Sequence, residues 1–362
     1  MEARKCRGPG LLILACSFPC ALACASSSPG VGGSDSGGVG TAGASAGQAS
    51  SAGGLTSGAG SPGASAGSSG QSSGGGSGTG GSGLVGGTGG NVGAAGAGMG
   101  NGGSTPSAGC GKAAGLMNGR ASIDVAGAMR EYILALPNDY DPSHAYKLIF
   151  GWHPLGGSAQ QVASGGYYGL QKVAKDQAIF VSPEGLPFQG NSLGWGNTNG
   201  GDLAFLRAML ELFRAQLCVD EDRIFSTGFS FGGMMSFAVG CSATSMMRAI
   251  APMAGNTMVS GCEKGTRPVA LMGFHGTHDS VVDISGGQKG RDTFVQRNGC
   301  TMETMPAQPS WCDGLAQNYQ PCTCVSYQGC MPGYPVTWCE YNADHMAAPT
   351  SGATLWSFFS QF

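Results

Sequence analysis

The sequence predicts one α/β domain, a mostly parallel sheet with helices on both faces, interrupted by a disulfide-rich insertion. Three observations predict it. From residue 110 onward, short apolar runs alternate with stretches of helical periodicity. One of those runs passes through Gly228-Phe229-Ser230-Phe231-Gly232-Gly233 into a helix, a strand–turn–helix passage with a serine at its apex. Ten cysteines, an even number, fall after residue 109, most of them between residues 300 and 339.

Strands are expected at 132–136, 147–152, 178–182, 223–229, 249–254, 269–275 and 336–341, where apolar residues run together. Helices are expected at 160–175, 202–217, 231–239, 287–298 and 350–359. The second helix is the best defined: Asp202 stands where a cap belongs, and Leu203, Leu206, Leu210 and Leu217 mark one apolar face. Strands alternating with helices need crossover connections, which makes neighbouring strands parallel and covers both faces of the sheet. Residues 300–333 break the pattern, being rich in Cys, Pro and Gln without periodicity. Cys300 and Cys330 bracket that stretch, and a bond between them would pin it as a closed loop. The alternative is that Cys330 bonds Cys312, Cys322 or Cys324 and Cys300 is tied to the core.

The 362 residues divide into three kinds of sequence: 1–24, 25–109 and 110–362. In the first, Arg4, Lys5 and Arg7 precede an apolar run starting at Leu11 that is too short and interrupted to span a bilayer, and Ala21-Leu22-Ala23 fits a small-x-small cleavage site. This reads as an export signal. Cys24 follows Ala23 directly, as in bacterial lipoproteins, although Ala21 stands where such signals usually carry Leu. Two outcomes stay open, a chain tethered to a membrane through lipidated Cys24 and a freely secreted one. Residues 25–109 are almost wholly Gly, Ser, Ala and Thr, with Asp35 the sole charge. Such a stretch has too little apolar side chain to offset its ordering entropy, so a disordered linker is expected, with a reach of roughly 50 Å.

Composition excludes some function classes. Residues 110–362 carry 15 basic and 19 acidic side chains with no basic run, so nucleic acid is not an expected partner. The cysteines agree with an oxidising compartment. Cys322-x-Cys324 lacks a second pair at zinc-site spacing, so no metal and no cofactor is expected.

The serine passage carries the chemistry. A G-x-S-x-G turn between strand and helix exposes the serine hydroxyl beside the unpaired N–H groups of a helix N-terminus, the nucleophile elbow of the α/β-hydrolase fold. In that fold the acid and then the histidine follow the serine along the chain. Asp279 lies just past the strand 269–275, and His345 is the remaining histidine downstream of it, between the strand 336–341 and the last helix. Ser230, Asp279 and His345 are therefore the expected nucleophile, acid and base. Asp283 and Asp344 are rival acids, one further from the strand end and the other adjacent to the base. His275 and His278 read as structural or rim residues. The run His153-Pro154-Leu155-Gly156-Gly157 after the strand 147–152 fits an oxyanion loop. Pro154 has no N–H, so Leu155 is the expected donor, paired with the N–H of Phe231. Trp195 is placed either as a wall of an aromatic-accepting pocket or as core. Met234, Met235, Met246, Met247 and Met253 read as core packing.

Together these residues resemble the feruloyl esterases of carbohydrate esterase family 1, and most of all the type C enzymes. The likeness runs from Gly109-Cys110-Gly111-Lys112 through Arg130-Glu131-Tyr132-Ile133, Leu136-Pro137 and Tyr146-Lys147-Leu148-Ile149-Phe150-Gly151. It continues in Leu217-Cys218-Val219-Asp220, Thr227-Gly228-Phe229-Ser230, His275-Gly276-Thr277 with Asp279, and Gly290-Arg291-Asp292. Asn298-Gly299-Cys300, Tyr334-Pro335-Val336-Thr337-Trp338 and the closing Trp356, Phe358, Phe359 and Phe362 complete it. The resemblance implies hydrolysis of the ester between ferulate, or a related hydroxycinnamate, and plant cell-wall polysaccharide, with the triad on Ser230, Asp279 and His345. Cys312, Cys322, Cys324 and Cys339 stand as additions to the family pattern. An esterase for aliphatic polyester or acetylated xylan is the nearest alternative. A non-catalytic surface binding protein is an alternative of another class, which the intact elbow and base argue against.

Overall fold

A computed structural model describes residues 104–242, 245–262 and 265–362. The expected export signal and nearly all of the expected linker lie outside the described residues. Thr105 to Ser107, read from sequence as the end of the linker, already pack on the domain. Pro106 bridges to Asp220, and buried Ser107 donates its hydroxyl to Leu217 O at 2.8 Å.

Among the described residues twelve strands and six α-helices follow in order. First come β1 (Gly119–Val125), β2 (Ala128–Ala135), β3 (Tyr146–Trp152), α1 (Ala159–Ser164), α2 (Leu170–Ala174) and β4 (Ala178–Pro183). A small hairpin, β5 (Leu186–Phe188) and β6 (Ser192–Gly194), precedes α3 (Gly201–Gln216). Then come β7 (Val219–Phe229), α4 (Phe231–Cys241), β8 (Ala249–Met253), β9 (Ala270–Gly276) and α5 (Ile284–Arg297). The chain ends in β10 (Thr304–Pro306), β11 (Cys322–Tyr327), β12 (Val336–Tyr341) and α6 (Gly352–Ser360).

Ten strands form one sheet in the order β1-β2-β4-β3-β7-β8-β9-β12-β11-β10. The six from β4 to β12 are parallel, and the two strands at either edge pair antiparallel. Parallel strands are buried on both faces, and their side chains alternate between two cores. Leu148, Phe150 and Trp152 of β3 point to one core with Phe205 and Phe213 of α3, Phe237 of α4 and Phe294 of α5. Ile149 points to the other with Leu170 of α2 and Leu355 and Phe359 of α6. Helix α4, directly behind Ser230, is buried along all eleven residues, as its apolar sequence requires.

Several expectations change. The expected helix at 160–175 is two short helices separated by a turn with positive φ, described below. Asp202 does not cap α3; Gly200 stands at the cap, and Asp202 lies in the first turn with its carboxylate buried. There Asp202 pairs with the equally buried Arg130 at 2.9 Å and accepts from Asn197 N at 2.7 Å. Arg130 also reaches Glu184 O at 3.2 Å, so one ion pair ties β2, the end of β4 and α3 together. The aperiodic stretch after Cys300 is not shapeless: β10 and β11 extend the sheet beyond β12. Cys300 bonds Cys330 as the position of the two predicts, while Cys312–Cys322 and Cys324–Cys339 staple the interior of the insertion. Cys110–Cys218 and Cys241–Cys262 complete five disulfides among the described residues.

Candidate active site

The C-terminal ends of the parallel strands carry the site, as a fold with crossovers on both faces dictates. Ser230 follows β7 at φ 57° and ψ −120°, a conformation that a side chain rarely adopts and that throws its hydroxyl outward. Two backbone bonds hold it there, Ser230 N to Met253 O and Met234 N to Ser230 O, both 2.9 Å. The turn also demands a glycine two residues on. A Cβ on Gly232 would lie 2.1 Å from Trp152 O and 2.9 Å from His153 O. That close approach sets the N-terminus of α4 against the loop that follows β3.

His345 Nε2 lies 2.8 Å from Ser230 Oγ, and its Nδ1 lies 2.8 and 3.0 Å from the two oxygens of Asp279. With a carboxylate as its partner, Nδ1 carries the proton and Nε2 is left to accept from the serine. Asp279 follows β9 and is itself held, its Oδ1 accepting from Val281 N at 3.0 Å and Val282 N at 2.8 Å. Of the rival acids, Asp283 caps α5 through Ser285 N, and hydrogen bonds from the Ser285 hydroxyl and then its N–H keep its carboxyl below the usual range. Asp344 accepts from Ser280 N, Ser280 Oγ and His345 N, each at 2.8 Å, and so stitches the acid loop to the base loop. His278 sits on the rim beside Thr277.

His275 is fully buried behind the acid. Its Nε2 donates to Val282 O at 2.8 Å and lies 3.3 Å from Asp279 Oδ2. Burial pushes its pKa down, so it stays neutral beside the carboxylate.

The loop after β3 is clamped by His153, also fully buried. His153 Nε2 accepts from Gly185 N at 2.9 Å, which places the proton on Nδ1, donated to Pro154 O at 2.8 Å. Trp195 is 0% exposed, and its indole N–H donates to His153 O at 2.8 Å. Of the two expectations for Trp195, the pocket wall is corrected and the core placement stands: it braces the loop from within. The hairpin β5–β6 holds the same loop from the other side, Gly156 N donating to Leu193 O at 2.8 Å. Among the described residues no protein acceptor takes the backbone N–H of Leu155 or of Phe231. Phe231 follows Ser230 directly, and Gly232 packs on Trp152 and His153 at the start of the loop that carries Leu155, so the two free donors flank the serine turn as a developing oxyanion requires.

Around these donors the surface is apolar. Phe188 packs against Phe231 at 5.0 Å between ring centroids, and Leu155 and Leu186 are about half exposed. A Cβ on Gly194 would strike the Phe231 ring at 2.6 Å and Leu155 Cδ1 at 3.1 Å, so the two donor residues meet across the hairpin. A separate cavity of about 790 Å³, lined by Arg223, Arg248, Arg267 and Tyr334, opens at the other ends of the strands. Among the described residues no cluster of three His, Cys, Asp or Glu side chains could hold a metal ion, and no helix is long and apolar enough to cross a membrane.

Comparison with known proteins follows the same line. The profile of the phospholipase/carboxylesterase family Abhydrolase_2 matches residues 205–320. The chain is 38% identical over 278 residues to feruloyl esterase D of Neurospora crassa, covering 72% of this chain and 91% of that one. It is 41% identical over 264 residues to the probable feruloyl esterase C of Aspergillus terreus, covering 70% and 91%. Among solved structures, acetyl xylan esterase from Aspergillus awamori superposes with a TM-score of 0.53 at 12% identity, over 67% of this chain and 99% of that one. That likeness is one of fold.

Proposed function

Because this chain belongs to the feruloyl esterase family, we propose that it hydrolyses the ester linking ferulate or a related hydroxycinnamate to plant cell-wall polysaccharide, by acyl transfer through Ser230. The observation that carries the mechanism is the unbroken chain Ser230 Oγ–His345–Asp279 beside two free backbone donors. Ser230 Oγ attacks the ester carbonyl carbon as its proton passes to His345 Nε2. The carbonyl oxygen, now negative, takes hydrogen bonds from Leu155 N–H and Phe231 N–H. Collapse of this adduct breaks the bond to the sugar oxygen, which leaves with the proton from His345. A water then repeats the sequence on the acyl-enzyme, releasing ferulate and restoring Ser230. Asp279 holds the imidazole in the right tautomer and stabilises it while charged. Phe188, Phe231, Leu155 and Leu186 supply the apolar surface on which an aromatic acyl group rests.

The test is a side-by-side assay of methyl ferulate, acetylated xylan, polyhydroxybutyrate and a nitrophenyl butyrate. The expected result is the highest kcat/KM on methyl ferulate. Turnover of the polyester or of acetylated xylan without ferulate would replace this substrate class, and no turnover of any ester would favour a binding protein.

The working place we propose is outside the cytoplasm. Five disulfides need an oxidising compartment, and residues 1–24 have the layout of an export signal. The mass of the mature N-terminal peptide decides between the two forms: a diacylglyceryl Cys24 marks a tethered enzyme and an unmodified one a free enzyme. An N-terminus that still includes residues 1–24 counts against export.

A further inference from the structure

Between α1 and α2 four consecutive residues, Gly166, Tyr167, Tyr168 and Gly169, hold φ values of 62°, 54°, 62° and 80°. L-residues visit this region singly and at a cost, and bulky ones seldom, so two adjacent tyrosines there need a reason from elsewhere in the fold. Tyr167 supplies packing, its ring lying 4.8 Å from that of Phe180, while its buried hydroxyl has no hydrogen-bond partner among the described residues. Tyr168 is different. Its hydroxyl donates to Trp152 O at 2.6 Å and accepts from Phe229 N at 3.2 Å.

Those two partners lie where the ladder between β3 and β7 stops. The last paired residues are Trp152 and Gly228, and the phenol hydroxyl bonds one backbone group at each strand end. One oxygen atom thus ties the two strand ends together. Trp152 leads into the loop of Leu155, and Phe229 precedes Ser230, with its ring centroid 4.8 Å from that of His345.

We propose that Tyr168 is a positioning residue that sets the separation between Ser230 and the oxyanion donor on Leu155. The inference rests on reading Ser230 as nucleophile and Leu155 N–H as donor. The strained turn exists to deliver this hydroxyl to the strand ends. Burial raises the pKa of the phenol, so the proton given to Trp152 O stays in place across the working range.

The test uses the full chain with 4-nitrophenyl butyrate, so that it does not depend on which acyl group is natural. Tyr168→Phe is expected to lower kcat by about 10–100-fold with KM changed less than about twofold, the size expected of a misplacement on the ångström scale. Affinity for a phenylboronic acid, which forms a tetrahedral adduct on serine, should fall in step with kcat/KM. Tyr167→Phe, which removes a hydroxyl that bonds nothing in the described residues, should leave kcat unchanged. Rates are counted per folded molecule, and Tyr168→Leu replaces Tyr168→Phe if the latter does not fold. Wild-type kcat and boronate affinity in Tyr168→Phe, with only a lowered Tm, would overturn the proposal, as would an equal loss in Tyr167→Phe. An unmutated chain inert toward the nitrophenyl ester overturns instead the esterase reading beneath it.

Discussion

Ser230→Ala and His345→Ala each lower kcat on an activated ester by at least about 10³-fold, and by as much as about 10⁶-fold, while the folded state survives. The two losses are similar and do not add, because removing either ends the same proton transfer across 2.8 Å. Asp279→Asn keeps the geometry but lets Nδ1 face an amide in the wrong tautomer, and costs about 10⁴-fold. Asp283→Asn, acting only as the cap of α5, stays near the wild-type rate. Steady-state kinetics on the four variants, with circular dichroism as a check on folding, measures all of this. A dead Asp283→Asn beside an active Asp279→Asn would transfer the acid role to the wrong loop and sink the assignment.

The largest expected loss of stability comes from Arg130→Met. The variant keeps most of the side chain's length but leaves the Asp202 carboxylate, 4% exposed, without its counter-charge. Breaking a buried pair from one side costs about 3–5 kcal/mol. With the disulfides kept oxidised, the urea midpoint should drop by roughly 1–2 M. Adding Asp202→Asn should recover part of the loss, since an amide needs no cation and can still accept from Asn197 N. A midpoint within experimental error of wild type would mean that Arg130 is not what holds β2 to α3.

The triad is legible in sequence because its chemistry limits the choices: one serine in an elbow, one histidine left downstream, one aspartate at the right strand end. The parallel core is legible because buried strands must be apolar on both faces. What the sequence conceals are features set by partners far along the chain. The turn at 166–169 reads as helix because its strain is held by contacts to Trp152, Phe180 and Phe229; Gly165, Gly166 and Gly169 within five residues were the available signal. Trp195 has the same composition whether it faces a ligand or the carbonyl of His153, and only the fold decides. The hairpin β5–β6 is two three-residue strands, too short for periodicity to register, though Gln189-Gly190 at its tip marks a turn. Asp344 looked like a competing acid because it adjoins His345, and the same adjacency makes it a clasp between two loops.

The order of strands across the sheet also has a meaning in time. β7, which presents the serine, is flanked by β3 from earlier in the chain and by β8, which follows soon after, so the elbow can assemble around α4 while later residues are still being made. The base waits for β12, whose only parallel neighbour is β9, and for the residues that follow it. A chain cut short before β12 lacks His345, and its Ser230 has no base to take the proton.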